Sequence, residues 1–197
     1  PTSGKFSATQ REIYDVVLAV QESAIAGLKP GVSYSALHRA AGVEFAEHFV
    51  SLGLLRGDPI DLYQRGVVAI FFPHGLGHLL GLDVHDMEDL GDRAGYGPGR
   101  GRSTLPGESA LRLDRVLEAG QLVTIEPGFY SSPLLIERAR RDPAIADAVD
   151  WARFEAFSDV RGIRIEDDVL VTPTGADVLS FEVPKARADM ESLILEG

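Results

Sequence analysis

Residues Phe72 to Asp86 read Phe-Pro-His-Gly-Leu-Gly-His-Leu-Leu-Gly-Leu-Asp-Val-His-Asp, which places three of the chain's five histidines in one short stretch. Two glycines between His74 and His78 argue against a plain amphipathic helix, because each glycine costs about 1 kcal/mol in a helix interior. An extended or looped backbone fits better. There the two histidines, an even number of residues apart, share a face, and the glycines let something approach the main chain closely.

The run before this segment, Val67-Val68-Ala69-Ile70-Phe71-Phe72, predicts a strand that delivers His74 at its end. Upstream, Ser7 with Gln10 three residues later has the form of a capping box, and Ile13, Val17, Val20 and Ala24 follow at helical spacing. Leu28-Lys29-Pro30-Gly31 stops that helix. A second starts near Ser33 with Leu37, Ala41, Phe45, Phe49 and Leu52 on one stripe, and Asp58-Pro59 opens a short third. His38 and His48 lie on the second helix and read as surface or packing residues.

Downstream, residues 88–108 are rich in glycine, charge and turn formers and predict an irregular loop, which at that length is either a lid over a site or a plain insertion. Gln121 to Glu126 reads as a strand ended by Pro127-Gly128. Residues 134–156 read as helical with a break at Pro143, and Gly162 to Thr172 as one strand carrying Glu166-Asp167-Asp168. On that strand Arg164 and Glu166 face one side while Ile163 and Ile165 face the other. Either this is an edge strand with its ion pair in solvent, or Glu126, Glu166 and a histidine converge on a metal, since imidazole with carboxylates suits Mn, Fe, Co or Zn.

At 197 residues and 45% apolar content the chain can bury one sizeable core. The charge balance of 19 basic against 30 acidic residues, −11 overall, argues against a nucleic-acid or anionic-membrane surface. No cysteine is present, so disulfides, thiolate zinc sites and a cysteine nucleophile are excluded. No apolar run approaches the ~20 residues of a membrane span and no secretory signal opens the chain, so a cytoplasmic location is the default expectation. Neither HExxH, P-loop, GxSxG nor GxGxxG is present.

Three blocks remain: His74-Gly-Leu-Gly-His78 with Gly-Leu-Asp-Val-His85-Asp86, then Thr124-Ile125-Glu126-Pro127-Gly128-Phe129-Tyr130, then Gly162-Ile163-Arg164-Ile165-Glu166-Asp167-Asp168. In order and spacing they resemble the proline-specific metallopeptidase family that includes Xaa-Pro dipeptidase (prolidase) and aminopeptidase P. The likeness runs from Gly4-Lys5-Phe6 to Val183-Pro184. It implies an α+β pita-bread fold and a site for two divalent metals, most often Mn²⁺ with Zn²⁺ or Co²⁺ as alternatives. His78 and Glu126 would bind one ion and Glu166 would bridge both.

The resemblance further implies that His74 and His85 line the substrate pocket, that Arg164 supports the site and that Glu126 relays the proton of the attacking water. His85 would donate to the oxyanion. Arg112 falls where the family places an arginine for the substrate's free carboxylate; otherwise it is a solvated charge beside Asp114. Two more metal ligands of the family, both aspartates, belong upstream of Gly4-Lys5-Phe6. The chain therefore reads as the C-terminal part of a catalytic domain whose partners are an Xaa-Pro dipeptide, an upstream fragment of the same protein and a second copy in a homodimer. Aminopeptidase P action on longer Xaa-Pro peptides, a non-catalytic module that binds peptide without metal, and phosphoester or organophosphate hydrolysis are the other readings.

Overall fold

Ser7 caps the first helix as the sequence indicates. Its hydroxyl accepts the Gln10 N–H while the Gln10 side chain takes the Ser7 N–H, a reciprocal cap worth about 1 kcal/mol. The computed structural model describes residue 1 and residues 3–196. Helix α1 (Ala8–Ala26) buries Ile13, Val17, Val20 and Ala24 and packs on α2 (Tyr34–Ser51), which in turn holds α3 (Pro59–Gln64). Asp58 caps α3, with proline at the start of the helix where its missing N–H costs nothing.

After a helical turn, α4 (Asp92–Gly95), the chain enters β1 (Leu122–Ile125) and β2 (Gly128–Tyr130). Helices α5 (Pro133–Arg141), α6 (Pro143–Ala146) and α7 (Trp151–Glu155) follow, then β3 (Gly162–Arg164), β4 (Asp167–Val171), β5 (Ala176–Val178) and α8 (Arg187–Glu196). All strand pairings are antiparallel, β1-β4-β5 in one sheet and β2-β3 in another. The sheets meet the helices through an aromatic seam. Phe49 lies edge-on to Phe71 and Phe129, which stack on each other at 5.6 Å, and each such pair adds about 1 kcal/mol beyond its buried area.

Three expectations are corrected. Val67 to Phe72 is no strand: it forms a 3-10 turn over Val68–Ile70, with Ile70 N–H donating to Val67 and Phe71 N–H to Val68. A short apolar run buried on every side has no periodicity to separate strand from helical turn, and here it sits between α2 and α5. Gly162 to Thr172 is two strands. Its partner chain carries Pro127 at the midpoint, which has no N–H to continue the ladder, so β2-β3 and β1-β4 separate at Ile165-Glu166. Residues 88–108 are not uniformly loop: Met87–Leu90 forms a 3-10 turn, α4 follows, and Glu88, Gly95 and Tyr96 are buried.

His38 packs inside α2, 1% exposed, against Phe72 and Tyr63, and neither ring nitrogen has a hydrogen-bond partner. Burial pushes its pKa down from 6.5 to about 4. A folded-state pKa below the unfolded one means that, as pH falls through 6.5, the unfolded chain takes up a proton that the native state refuses until about pH 4. Stability attributable to His38 is complete above that window and is lost across it, by up to about 3 kcal/mol. Urea unfolding of wild type and His38→Leu between pH 7.5 and 4 checks this: the difference between the two curves should grow against wild type as pH falls and should be flat if the ring is hydrated in the native state.

Candidate metal centre

The glycines of the first block have a structural reason. Residues 76–80 run antiparallel beside β1: Thr124 N–H donates to His78, Glu126 N–H to Leu76 and Leu80 N–H to Leu122. The approach is so close that a Cβ on Gly77 would collide with the Thr124 carbonyl and with the Tyr34 hydroxyl, which donates to that same carbonyl at 2.6 Å. Only glycine lets the segment lie flat on β1. His78 is thereby set over the strand, its N–H held by Thr124 Oγ1 at 3.0 Å.

The ring of His78 is oriented too. Its Nδ1 lies 2.9 Å from the Leu79 carbonyl, which can only accept, so Nδ1 carries the proton and Nε2 keeps its lone pair. Nε2 stands 3.3 Å from Glu126 Oε1, at the end of β1. On the far side of β1, the register pairs Ile125 with Asp167, so the next pair outward is Glu126 with Glu166. Ligand atoms of His78, Glu126 and Glu166 lie within 4.8 Å of one another.

This donor set suits a divalent cation. One imidazole lone pair and two carboxylates converge, and the carboxylates repel each other in its absence: burial first and Glu166 second push the Glu126 pKa up. Arg164, opposite Gly128 in β3, offsets part of that charge, with NH1 3.1 Å from Glu126 and Nε 3.7 Å from Glu166. The Arg164–Glu166 pair read from the strand pattern is present with both side chains exposed, and Arg164 also reaches Glu126.

The cluster opens into a cavity of about 150 Å³ lined by His74, His78, His85, Arg112, Glu126 and Arg164. His74 donates from Nδ1 to the Gly75 carbonyl, and its buried Nε2 has no partner; burial lowers its pKa. His85 sits edge-on to His78 at 4.5 Å. Arg112 is not paired with Asp114, which binds Arg100 instead, but with Asp89 at 2.6 Å. Asp83 and Asp86 do not join the three-residue cluster.

Three contributors lack a motif of their own in the sequence: Thr124, Glu88 and Asp89, the last through its contact with Arg112. Thr124 holds the His78 N–H and donates to Glu126 Oε1 at 3.3 Å. Glu88, buried, accepts the Leu79 N–H at 2.8 Å and stands 3.8 Å behind His78 Nδ1. The run Asp86-Met87-Glu88-Asp89 directly after His85 is the one signal that pointed to Glu88 and Asp89.

The family model of metallopeptidase family M24 matches residues 2–173, and the chain belongs to that family. Among its relatives, the human Xaa-Pro dipeptidase is 37% identical over 192 residues, 98% of this chain and 38% of that protein. A probable Xaa-Pro aminopeptidase of Uncinocarpus reesii is 37% identical over 197 residues, 100% of this chain and 39% of its own length. Among solved structures, Escherichia coli aminopeptidase P with the inhibitor Pro-Leu matches at 34% identity and a TM-score of 0.72, over 98% of this chain and 36% of that one. A zinc-substituted form of the same enzyme in complex with product gives 0.70 over the same shares. The α+β arrangement is that of the pita-bread fold, and the chain spans less than two-fifths of these relatives.

Because Gly77 has no room for a Cβ, Gly77→Ala should cost about 1–3 kcal/mol, the usual range for overpacking. Gly101→Ala, where nothing lies within 4 Å, serves as the control. Urea midpoints of the two variants against wild type measure the difference, and equal midpoints would mean that residues 76–80 do not lie on β1 as described.

Proposed function

We propose that this chain carries the greater part of a metal-dependent peptidase centre directed at the bond preceding proline. The observation that carries this is the His78-Glu126-Glu166 donor cluster opening into a cavity that also holds two further histidines and two arginines. Human Xaa-Pro dipeptidase and the probable Xaa-Pro aminopeptidase of Uncinocarpus reesii act, by their names, on Xaa-Pro substrates.

His78, Glu126 and Glu166 would hold the cation, Mn²⁺ by resemblance with Zn²⁺ or Co²⁺ as alternatives. A divalent ion there supplies a lowered pKa for water and charge stabilisation at the scissile carbonyl. Two cations would need more carboxylates than these three residues offer, and we assign the missing aspartates to polypeptide that works together with residues 1–197 as one catalytic domain. A homodimer of that assembly and a cytoplasmic location belong to the same proposal; among the described residues no helix is long and apolar enough to cross a membrane.

The side chains divide the work. Glu126, its pKa raised by burial and by Glu166, is suited to take a proton from the attacking water and return it to the leaving nitrogen. His85, 40% exposed at the cavity, is placed to donate to the developing oxyanion. His74, edge-on to Phe72 and Tyr130 at 5.0 and 5.2 Å, forms a rigid aromatic wall against which a proline ring packs. Arg112 offers a donor fork for the free carboxylate of a dipeptide.

This reading favours dipeptidase over aminopeptidase P action because Arg112 faces the cavity. The non-catalytic alternative is disfavoured by the cost of keeping Glu126 and Glu166 together without a cation. Assays of the protein on alanyl-proline with added Mn²⁺, beside a thermal melt with and without the ion, test it. His78→Ala should abolish both turnover and the metal-induced rise in Tm. His85→Ala should keep that rise and lose about 10²–10³ in kcat, the usual cost of an oxyanion donor. Loss of the rise in His85→Ala would make it a ligand, and absence of any rise in wild type would favour the metal-free module.

A further inference from the structure

Arg112 is a long, half-exposed side chain whose only recorded polar partner among the described residues is Asp89. The contact uses one terminal nitrogen, NH1, at 2.6 Å from Asp89 Oδ1, and leaves the other donors of the guanidinium uncommitted. The second oxygen of Asp89 lies 3.8 Å from His85 Nδ1. One carboxylate thus stands against two residues of the cavity wall.

The backbone of Asp89 is held in place, while its side chain stays half-exposed. It belongs to the 3-10 turn Met87–Leu90 and donates its N–H to Asp86 at 3.1 Å. The preceding residue, Glu88, points the opposite way into the core and takes the Leu79 N–H at 2.8 Å. The turn is therefore nailed to the segment that carries His78, and what Asp89 holds is referenced to the metal cluster.

We propose that Asp89 is a specificity-determining positioning residue, which makes the cavity demand a free carboxylate by holding Arg112 in place. The inference rests on the carboxylate role given to Arg112 above. A free arginine side chain carries considerable rotamer entropy, and without Asp89 that entropy opposes every approach of a substrate carboxylate. The opposing effect is electrostatic. Asp89 repels a second carboxylate nearby, but solvent screens charges this exposed, so orientation wins.

The test compares kcat/KM of the Mn²⁺-loaded catalytic domain, residues 1–197 together with the polypeptide assigned the missing aspartates, for alanyl-proline and for its C-terminal amide, in wild type, Asp89→Ala, Asp89→Asn and Arg112→Ala. Wild type should prefer the free acid. Asp89→Ala should lower that preference about tenfold, equivalent to about 1.4 kcal/mol, and Asp89→Asn, which keeps an accepting oxygen, should recover part of it. A structural defect, or a disturbed His85, would lower both substrates together and leave the ratio intact, which overturns the inference. A preference that rises in both Asp89 variants also overturns it, because Asp89 would then be a competitor for Arg112. If Arg112→Ala loses the preference while Asp89→Ala keeps it, the carboxylate reading stands and this inference alone falls. If wild type shows no preference, the role of Arg112 falls first and takes that of Asp89 with it.

Discussion

Everything at this site hangs on one strand, β1, and on the register with which it is flanked. Residues 76–80 lie on one side and β4 on the other. The first pairing puts His78 over Thr124 and next to Glu126, and the second puts Glu126 opposite Glu166. A shift of either neighbour by one residue would turn its side chains to the other face and break the cluster. Gly77 enforces the first register by allowing close approach. The second register is the same on both sides of Pro127, pairing Ile125 with Asp167 before it and Gly128 with Arg164 after it.

Holding two carboxylates together is costly, and the surroundings show how the cost is shared. Glu126 accepts from Thr124 and lies against Arg164, while Glu166 keeps a 40% exposed side chain and so retains much of its hydration. The aromatic seam of Phe49, Phe71 and Phe129 stabilises the scaffold beneath. Phe129 follows Gly128 directly, so the packing of the core and the placement of Arg164, opposite Gly128, are decided on the same short strand.

What was legible in the sequence was local. The capping box at Ser7, the Asp58-Pro59 start of α3 and the strand ending at Glu126 are written in neighbouring residues, and the structure has each of them. The extended character of the histidine block could be read from its glycines, though not that their reason was the Thr124 carbonyl and the Tyr34 hydroxyl, which are distant in the chain. Val67 to Phe72 misleads because burial on all sides erases the alternation that marks a strand. The break at Ile165 was invisible for a different reason: it is caused by a proline on the partner strand. For Asp89 the sequence offers only its place in the acidic run after His85; its contact with Arg112, 23 residues on, is set by the fold.

The cluster is lopsided, and the lopsidedness is informative. His78 and Glu126 are buried, with the Leu79 carbonyl, Thr124 and Glu88 packed around them, whereas Glu166 and Arg164 are open. Hydrogen-bonding groups on the His78 side are already committed: Nδ1 donates to the Leu79 carbonyl, Thr124 Oγ1 accepts the His78 N–H and Glu88 Oε1 accepts the Leu79 N–H. The cluster is thus closed off from behind by groups of this chain and open on the side of Glu166 and Arg164, where both side chains reach solvent. The same asymmetry explains why burial pushes up the pKa of Glu126.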